Sequence, residues 1–405
     1  MAFQTSLSGL NAAQTNLSVT GNNIANASTT GFKKSKAEFA DIYSNNFSST
    51  SAIGSGVRVS DVTQQFSQGN VEFTDNSLDL AISGEGFFVL KNTDGSEIYT
   101  RAGSFGMDRE GYVVNSGGQR LQGFATDAAG VVINTTPNDL YISNAASPAS
   151  ATDLTEININ LDAAETPPAV APFSSADPNT YNFSTSTTIF DSLGASHTQT
   201  LYFVKDPAPA TNQWSTYMEV NGTAVGGAQT VNFAADGSLT TAPSTIAYGA
   251  YAPTTGANAM ALSVDFNGST QYAGESAVNS VVQNGYTTGR ISGISIDGNG
   301  VVFARYTNGQ SNILGSVAMA KFSNPQGLQS IGDTNWAATF ESGDVVAGQA
   351  GRGTFGQIQS GALEASNVDL SKQLVNMIIA QRDFQANAKM ISTEDQVTQS
   401  IINIR

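Results

Sequence analysis

The segment Leu370-Ser-Lys-Gln-Leu374-Val-Asn-Met377-Ile-Ile-Ala-Gln381-Arg-Asp-Phe384-Gln-Ala-Asn-Ala388-Lys-Met-Ile391 decides how this chain is built. Leu370, Leu374, Met377, Gln381, Phe384, Ala388 and Ile391 recur at alternating gaps of four and three. Such gaps put residues on one helix face, and their alternation is the heptad seam of helices that pair. At the opposite end, Leu7, Leu10, Gln14, Leu17, Gly21 and Ile24 repeat the pattern. Almost everything between reads as strand. Neither end has a core of its own nearby in sequence, so the two ends are expected to pack together or against copies of themselves. The expected fold is multidomain and mainly β, with long α-helices at both termini forming a coiled-coil layer. An assembly subunit fits this better than an enzyme. Gln14 and Gln381 fall on seam positions, where a polar residue fixes register at some cost in stability.

Composition narrows the function further. The chain has 405 residues, and only 12% are charged, against about 25% in ordinary globular domains. Its net charge is -16, which argues against nucleic acid and anionic lipid as partners. Cysteine is absent, which removes thiolate catalysis, disulfides and Cys-ligated zinc. The first residues lack the basic and apolar regions of a secretory signal, and no run is long enough to span a membrane.

Met1 to Phe32 carries no charged side chain, although a solvated helix normally carries charge on its outer face. This stretch suits an environment contacted on all sides, with the helix expected to fray around Gly21-Asn22-Asn23 or to stop before Thr29-Thr30-Gly31. Residues 32–71 read as an extended connector with scattered aromatics at Phe32, Phe39, Tyr43, Phe47 and Phe66. From 72 the period becomes that of strands, with turn signals at Asp94-Gly95, Asp108-Arg-Glu-Gly111 and Asp127-Ala-Ala-Gly130. Residues 146–284 then hold nine of the eleven prolines and eleven acidic residues, against one basic side chain, Lys205. The earlier style resumes at Gly285, so 146–284 reads as an outer β-domain inserted into an antiparallel inner β-domain made of 72–145 and 285–362. The terminal segments 1–31 and 363–405 form the helical domain. Ser366-Asn-Val-Asp369 resembles a capping box opening a helix that runs to about Ile404.

No catalytic constellation stands out. His197 is the only histidine, and a lone strand histidine is expected to be structural. Asp297-Gly-Asn-Gly300 starts like a calcium loop but has Val301 at the next ligand position and no closing Glu, so a tight hairpin is expected. No cofactor and no metal are expected. Acidic residues in the insert leave a glycosidase pair as a remote rival.

Ser6-Leu-Ser-Gly-Leu-Asn-Ala-Ala-Gln14, Asn22-Asn23-Ile-Ala-Asn26 and Thr30-Gly31-Phe32-Lys33 resemble the N-terminal signature of bacterial flagellar axial proteins, the rod, hook and hook-associated group. Leu78-Asp-Leu-Ala-Ile82, Gly84-Glu-Gly86-Phe87-Phe88 and Tyr99-Thr-Arg101-Ala-Gly-Ser-Phe105 resemble that group's β-domain opening. Gly361-Ala-Leu-Glu-Ala-Ser-Asn-Val-Asp-Leu370 and Gln381-Arg-Asp-Phe-Gln-Ala-Asn387 complete the match. Length is similar to the hook members; a distal rod or hook-associated role, and more remotely a secreted β-rich adhesin, remain open. The resemblance implies a homopolymer in the extracellular hook attached to the basal body, bending while it transmits torque. It also implies rod, hook-cap and hook–filament junction proteins as partners, and passage through a flagellar type III export apparatus without a cleaved signal.

Overall fold

The computed structural model describes residues 2–42, 54–127, 129–133, 136–143, 145–207 and 212–403. Tyr43, Phe47 and the expected helix end at Ile404 lie outside these residues. Helix α1 spans Ala2–Ala25 and helix α2 spans Leu370–Asn403. At 34 residues α2 extends about 51 Å. No helix among the described residues is long and apolar enough to cross a membrane.

One local expectation is narrowed and one changes. Of the two expected ends of α1, the stop before Thr29 is the one seen: α1 does not fray at Gly21 but runs to Ala25, its last turn pinned by Asn23 to Ser35 through two hydrogen bonds, Nδ2 to Ser35 O at 2.8 Å and Ser35 N to Oδ1 at 2.9 Å. At α2 the N-cap is Asp369 rather than Ser366: its carboxylate accepts from Lys372 N at 3.1 Å and its carbonyl from Gln373 N at 2.9 Å. Asn367 is drawn instead onto the carbonyls of Gln65 and Ser67, so residues 366–368 stay out of the helix.

The stretch after α1 contains more order than an extended connector. Strands β1 (Ser35–Asp41) and β2 (Val57–Gln64) pair antiparallel with a bulge at Glu38/Phe39, and both pack on α1.

The chain divides into two compact units. The first comprises Met1–Ser143, Gly293–Arg305 and Ser311–Arg405; the second comprises Asn144–Ser292 and Tyr306–Gln310. The second unit takes in residues beyond Gly285, because Ser147 and Ser150 bridge to Gly289 and Tyr286.

In the first unit, strands from both sides of the insertion interleave. Ser311–Lys321 pairs antiparallel with Arg120–Phe124 and with Phe87–Lys91, aligning Val317 with Gly123 and Met319 with Phe88. Glu97–Thr100, Asn335–Ala337 and the edge strand Gln329–Gly332 follow. Phe87 is buried at the centre of an aromatic cluster, meeting Phe66, Phe322 and Trp336 edge-on at 5.4–5.9 Å. Phe66 comes from the segment after β2, which docks that segment on the core. Phe88 is also buried, against Phe105 at 5.4 Å.

The second unit holds two four-stranded sheets. Along Gln213–Val220 burial alternates strictly, with Trp214, Thr216, Met218 and Val220 inward, the period-2 signature of a half-buried strand. Their core includes Ile157, Phe203, Trp214, Val264 and Phe266. The strand Leu154–Asn160 departs from the antiparallel expectation: it lies parallel to Met260–Asp265, and Asn160 bridges in parallel to Thr270. His197 is buried here, with Nε2 3.1 Å from Asp191 Oδ2 and Nδ1 2.8 Å from Asn221 Nδ2. Burial pushes the Asp191 carboxyl up, but hydrogen bonds from His197, Thr255 and the amides of Ala195 and Leu193 outweigh it and hold it at about 2. Asp297 is likewise occupied by backbone, accepting from Asn299 N and Val301 N across its hairpin.

Candidate assembly interface

Three segments far apart in sequence meet at one buried ionic junction where the terminal helices join the β-structure. Glu364, fully buried, reaches Lys33 Nζ with one oxygen at 2.6 Å and Arg101 Nη1 with the other at 3.2 Å. The first oxygen also accepts from Gly69 N at 2.8 Å, and Lys33 donates to Ser67 O at 2.9 Å. Arg101 donates to Gly84 O at 2.8 Å and lies 5.4 Å from the centre of the Phe87 ring. Burial pushes the pKa of Lys33 and of Arg101 down, against the pull of Glu364. Desolvated charges persist only when paired and hydrogen-bonded, and this arrangement meets that condition for the carboxylate from three sides.

The glycines of the junction are there for backbone reasons. Gly31 sits at φ +70° and donates its N–H to Glu364 O at 2.8 Å. A Cβ on it would lie 2.4 Å from Ala102 N, so no side chain fits. Gly84 and Gly86 also adopt left-handed angles, φ +115° and +129°. Asn26 accepts from Thr29 and donates to Asn22, shaping the turn after α1. Asn22, Asn26 and Phe32 line a cleft of about 720 Å³ whose far wall includes Trp336 and Asn335.

Above the junction, α1 packs on α2. The buried residues of α1 are small or polar, namely Ser6, Ala12, Ala13, Thr20 and Asn23. Gly9 lets the helices approach, since a Cβ there would fall 2.6 Å from Asn387 Oδ1. On α2 the buried positions are Gln373 and Ala380, flanked by half-buried Met377, Phe384 and Ile391. Leu10, Leu17 and Ile24 are half-buried as well. Leu7, Gln14, Leu370, Leu374 and Gln381 are exposed. The expected stripes therefore split: part lies at the helix pair and part faces outward. The outward part continues through Val375, Ile378, Ile379, Met390, Val397, Ile401 and Ile402, with Ile378 61% exposed.

Lys33 and Glu364 carry the junction although neither lies on an apolar stripe. Their isolation was the available signal. Lys33 is the first charged side chain in the sequence, and Glu364 is the only one between Arg352 and Asp369.

Family models cover both ends and the middle of the chain. A flagella basal body rod protein model matches residues 3–33, a flagellar hook protein FlgE/F/G D1 domain matches 81–163, a flagellar basal body protein FlaE D2 domain matches 160–286, and a flagellar basal body rod FlgEFG protein C-terminal model matches 359–404. The flagellar hook protein FlgE of Escherichia coli (strain K12) is 40% identical over 413 residues, covering 100% of both chains. That of Borreliella burgdorferi is 35% identical over 442 residues, covering 98% of each. The crystal structure of Helicobacter pylori flagellar hook protein FlgE2 shares the fold, with TM-score 0.52 at 15% identity over 73% of this chain and 100% of that one. Full-length identity at this level, on a scaffold whose two ends are joined by a buried junction, means that the chain belongs to the flagellar hook protein family.

Proposed function

We propose that this chain, a structural subunit of the flagellar hook at the basal body, polymerises through the outward faces of its paired terminal helices. The carrying observation is the row of large apolar side chains left exposed on α2, including Leu374, Val375, Ile378 and Ile379. A contiguous exposed apolar strip of this kind marks an interaction surface. Leu7, Gln14, Leu370 and Gln381 lie outward with it, while Leu10, Leu17, Ile24, Met377, Phe384 and Ile391 act at or beside the helix pair. In this reading 1–31 and 363–405 form the inner layer, 32–71 the connector, 72–145 with 285–362 the inner β-domain, and 146–284 the outer one. A contact between unlike surfaces that does not close on itself gives an open helical tube. The acidic outer segment, carrying like charge, suits contacts that slide as the tube bends while transmitting torque.

The role is structural rather than enzymatic. Rod, hook-cap and hook–filament junction proteins are the partners at the ends of such a tube, and flagellar type III export delivers the subunit. Electron microscopy of the full chain in polymerising salt tests this. Curved tubes are expected from the parent chain, and the double substitution Leu374→Ser with Ile378→Ser is expected to abolish them while leaving circular dichroism unchanged. Tubes of normal length from the variant would reject the helical interface.

A further inference from the structure

The turn Thr339-Phe340-Glu341-Ser342 presents an aromatic ring with nothing over it. Phe340 is fully exposed, yet the backbone beneath it is tightly held. Thr339 N donates to Ser342 Oγ at 3.1 Å, Ser342 Oγ donates to Thr339 O at 2.8 Å, and Asn324 Nδ2 donates to Glu341 O at 3.1 Å. Gly327 packs so closely that a Cβ on it would fall 2.5 Å from the Glu341 carbonyl carbon. A large apolar side chain on a rigid turn loses little freedom on binding, the property of interface anchors. Glu341 and Asp344 are exposed beside it.

Elsewhere in the same unit, α1, β1 and the start of α2 form an open pocket of about 320 Å³, lined in part by Val19, Ala37 and Asn376. Its volume accommodates a benzyl group. Lys34, Lys36 and Lys372 also line it, a local concentration of positive charge in a chain of net charge -16. Among the described residues, Lys34 and Lys372 have no carboxylate within ion-pair distance, and Lys36 has only Glu38 at 3.9 Å.

We propose that Phe340 of one copy seats in this pocket of a second copy, with Glu341 and Asp344 against the three lysines. The proposal rests on the reading of the chain as a polymer subunit and adds to the helical interface a second, knob-in-pocket contact. Knob and pocket are different surfaces, so the contact is head-to-tail, and it gives an open helix wherever successive rotations do not close into a ring. Complementary charge at its rim sets register and favours encounter.

The cysteine-free sequence permits a direct test on the full chain. Val345→Cys and Asn376→Cys together place one thiol beside the knob and one in the pocket, leaving Phe340 and all charges in place. Tubes of this variant treated with a short bismaleimide are expected to give a ladder of covalent oligomers, absent from either single variant. Tubes without a ladder would overturn the contact while leaving the polymer reading intact; a parent chain that forms no tubes would instead overturn that reading. If the cysteine pair itself blocks assembly, a charge exchange decides. Glu341→Lys and Lys372→Glu are each expected to raise the critical concentration, and the pair to restore it; no restoration overturns the contact. Phe340→Ser is expected to raise the critical concentration at least about tenfold.

Discussion

The ionic junction and the helix pair lie in the same unit but are finished to different degrees. At the junction, the Glu364 carboxylate is fully buried and receives Lys33, Arg101 and Gly69 N. On α2, only Gln373 and Ala380 are buried while Leu374, Ile378 and Val397 face outward. A buried charge has to be satisfied within the chain, since leaving it unpaired costs several kcal/mol. An apolar row can wait for a second molecule, because exposure costs only the hydrophobic gain not yet realised. The single chain thus satisfies the Glu364 carboxylate internally and leaves a row of apolar side chains on α2 exposed, the row proposed above for assembly.

The largest effect is expected from Glu364→Gln. It leaves two desolvated cations without their counter-charge, and the expected loss is about 3–5 kcal/mol in unfolding free energy of the first unit. Lys33→Met is the control. There Glu364 keeps Arg101 and Gly69 N, and a neutral side chain of similar length replaces the desolvated amine, so the expected loss is smaller. Denaturant unfolding of both variants below the concentration of polymerisation ranks them. An equal loss for the two would mean that the carboxylate is not the organising charge.

Asn23→Ala comes next in size. It removes both hydrogen bonds to Ser35 and leaves a backbone donor and acceptor without partners, for an expected loss of about 1–3 kcal/mol. Hydrogen exchange of the Ser35 amide reads this locally. Unchanged protection there would show that the end of α1 is held by packing alone.

Legibility followed the range of each interaction. Both helices were readable because a 3.5-residue repeat is a local signal, and the hairpin at Asp108-Arg-Glu-Gly111 was readable because Asp108 folds back on its own turn, accepting from Glu110 N and Gly111 N. Asn23, Gly31 and Arg101 stood in the motifs, but periodicity could not give their partners. Lys33 and Glu364 are separated by 331 positions, and nothing local in either segment encodes the pairing. The Asp369 cap was misplaced for the same reason: the long-range bonds of Asn367 to Gln65 and Ser67 compete with a helix start at Ser366. Which half of each apolar stripe lies inside the helix pair was hidden too, since Gly9 and Ala13 mark a close approach that a count of large apolar residues passes over.

The smallest expected effect on the single chain is also the most discriminating for the comparison. Gln381 sits on an expected seam position yet is exposed, three residues beyond exposed Ile378 on the outward row. Leu and Gln have similar helix propensities, so Gln381→Leu is expected to move the unfolding free energy of the monomer by less than about 0.5 kcal/mol. In the polymer the same change lengthens the apolar row, and the critical concentration or the tube geometry is expected to shift, as when a polar residue that fixes register is lost from a helical interface. Monomer melting curves and tube assembly measured on one preparation separate the two. If stability moves and assembly does not, residue 381 belongs to the intrachain seam, and the division between a finished joint and an unfinished helix face fails at that position.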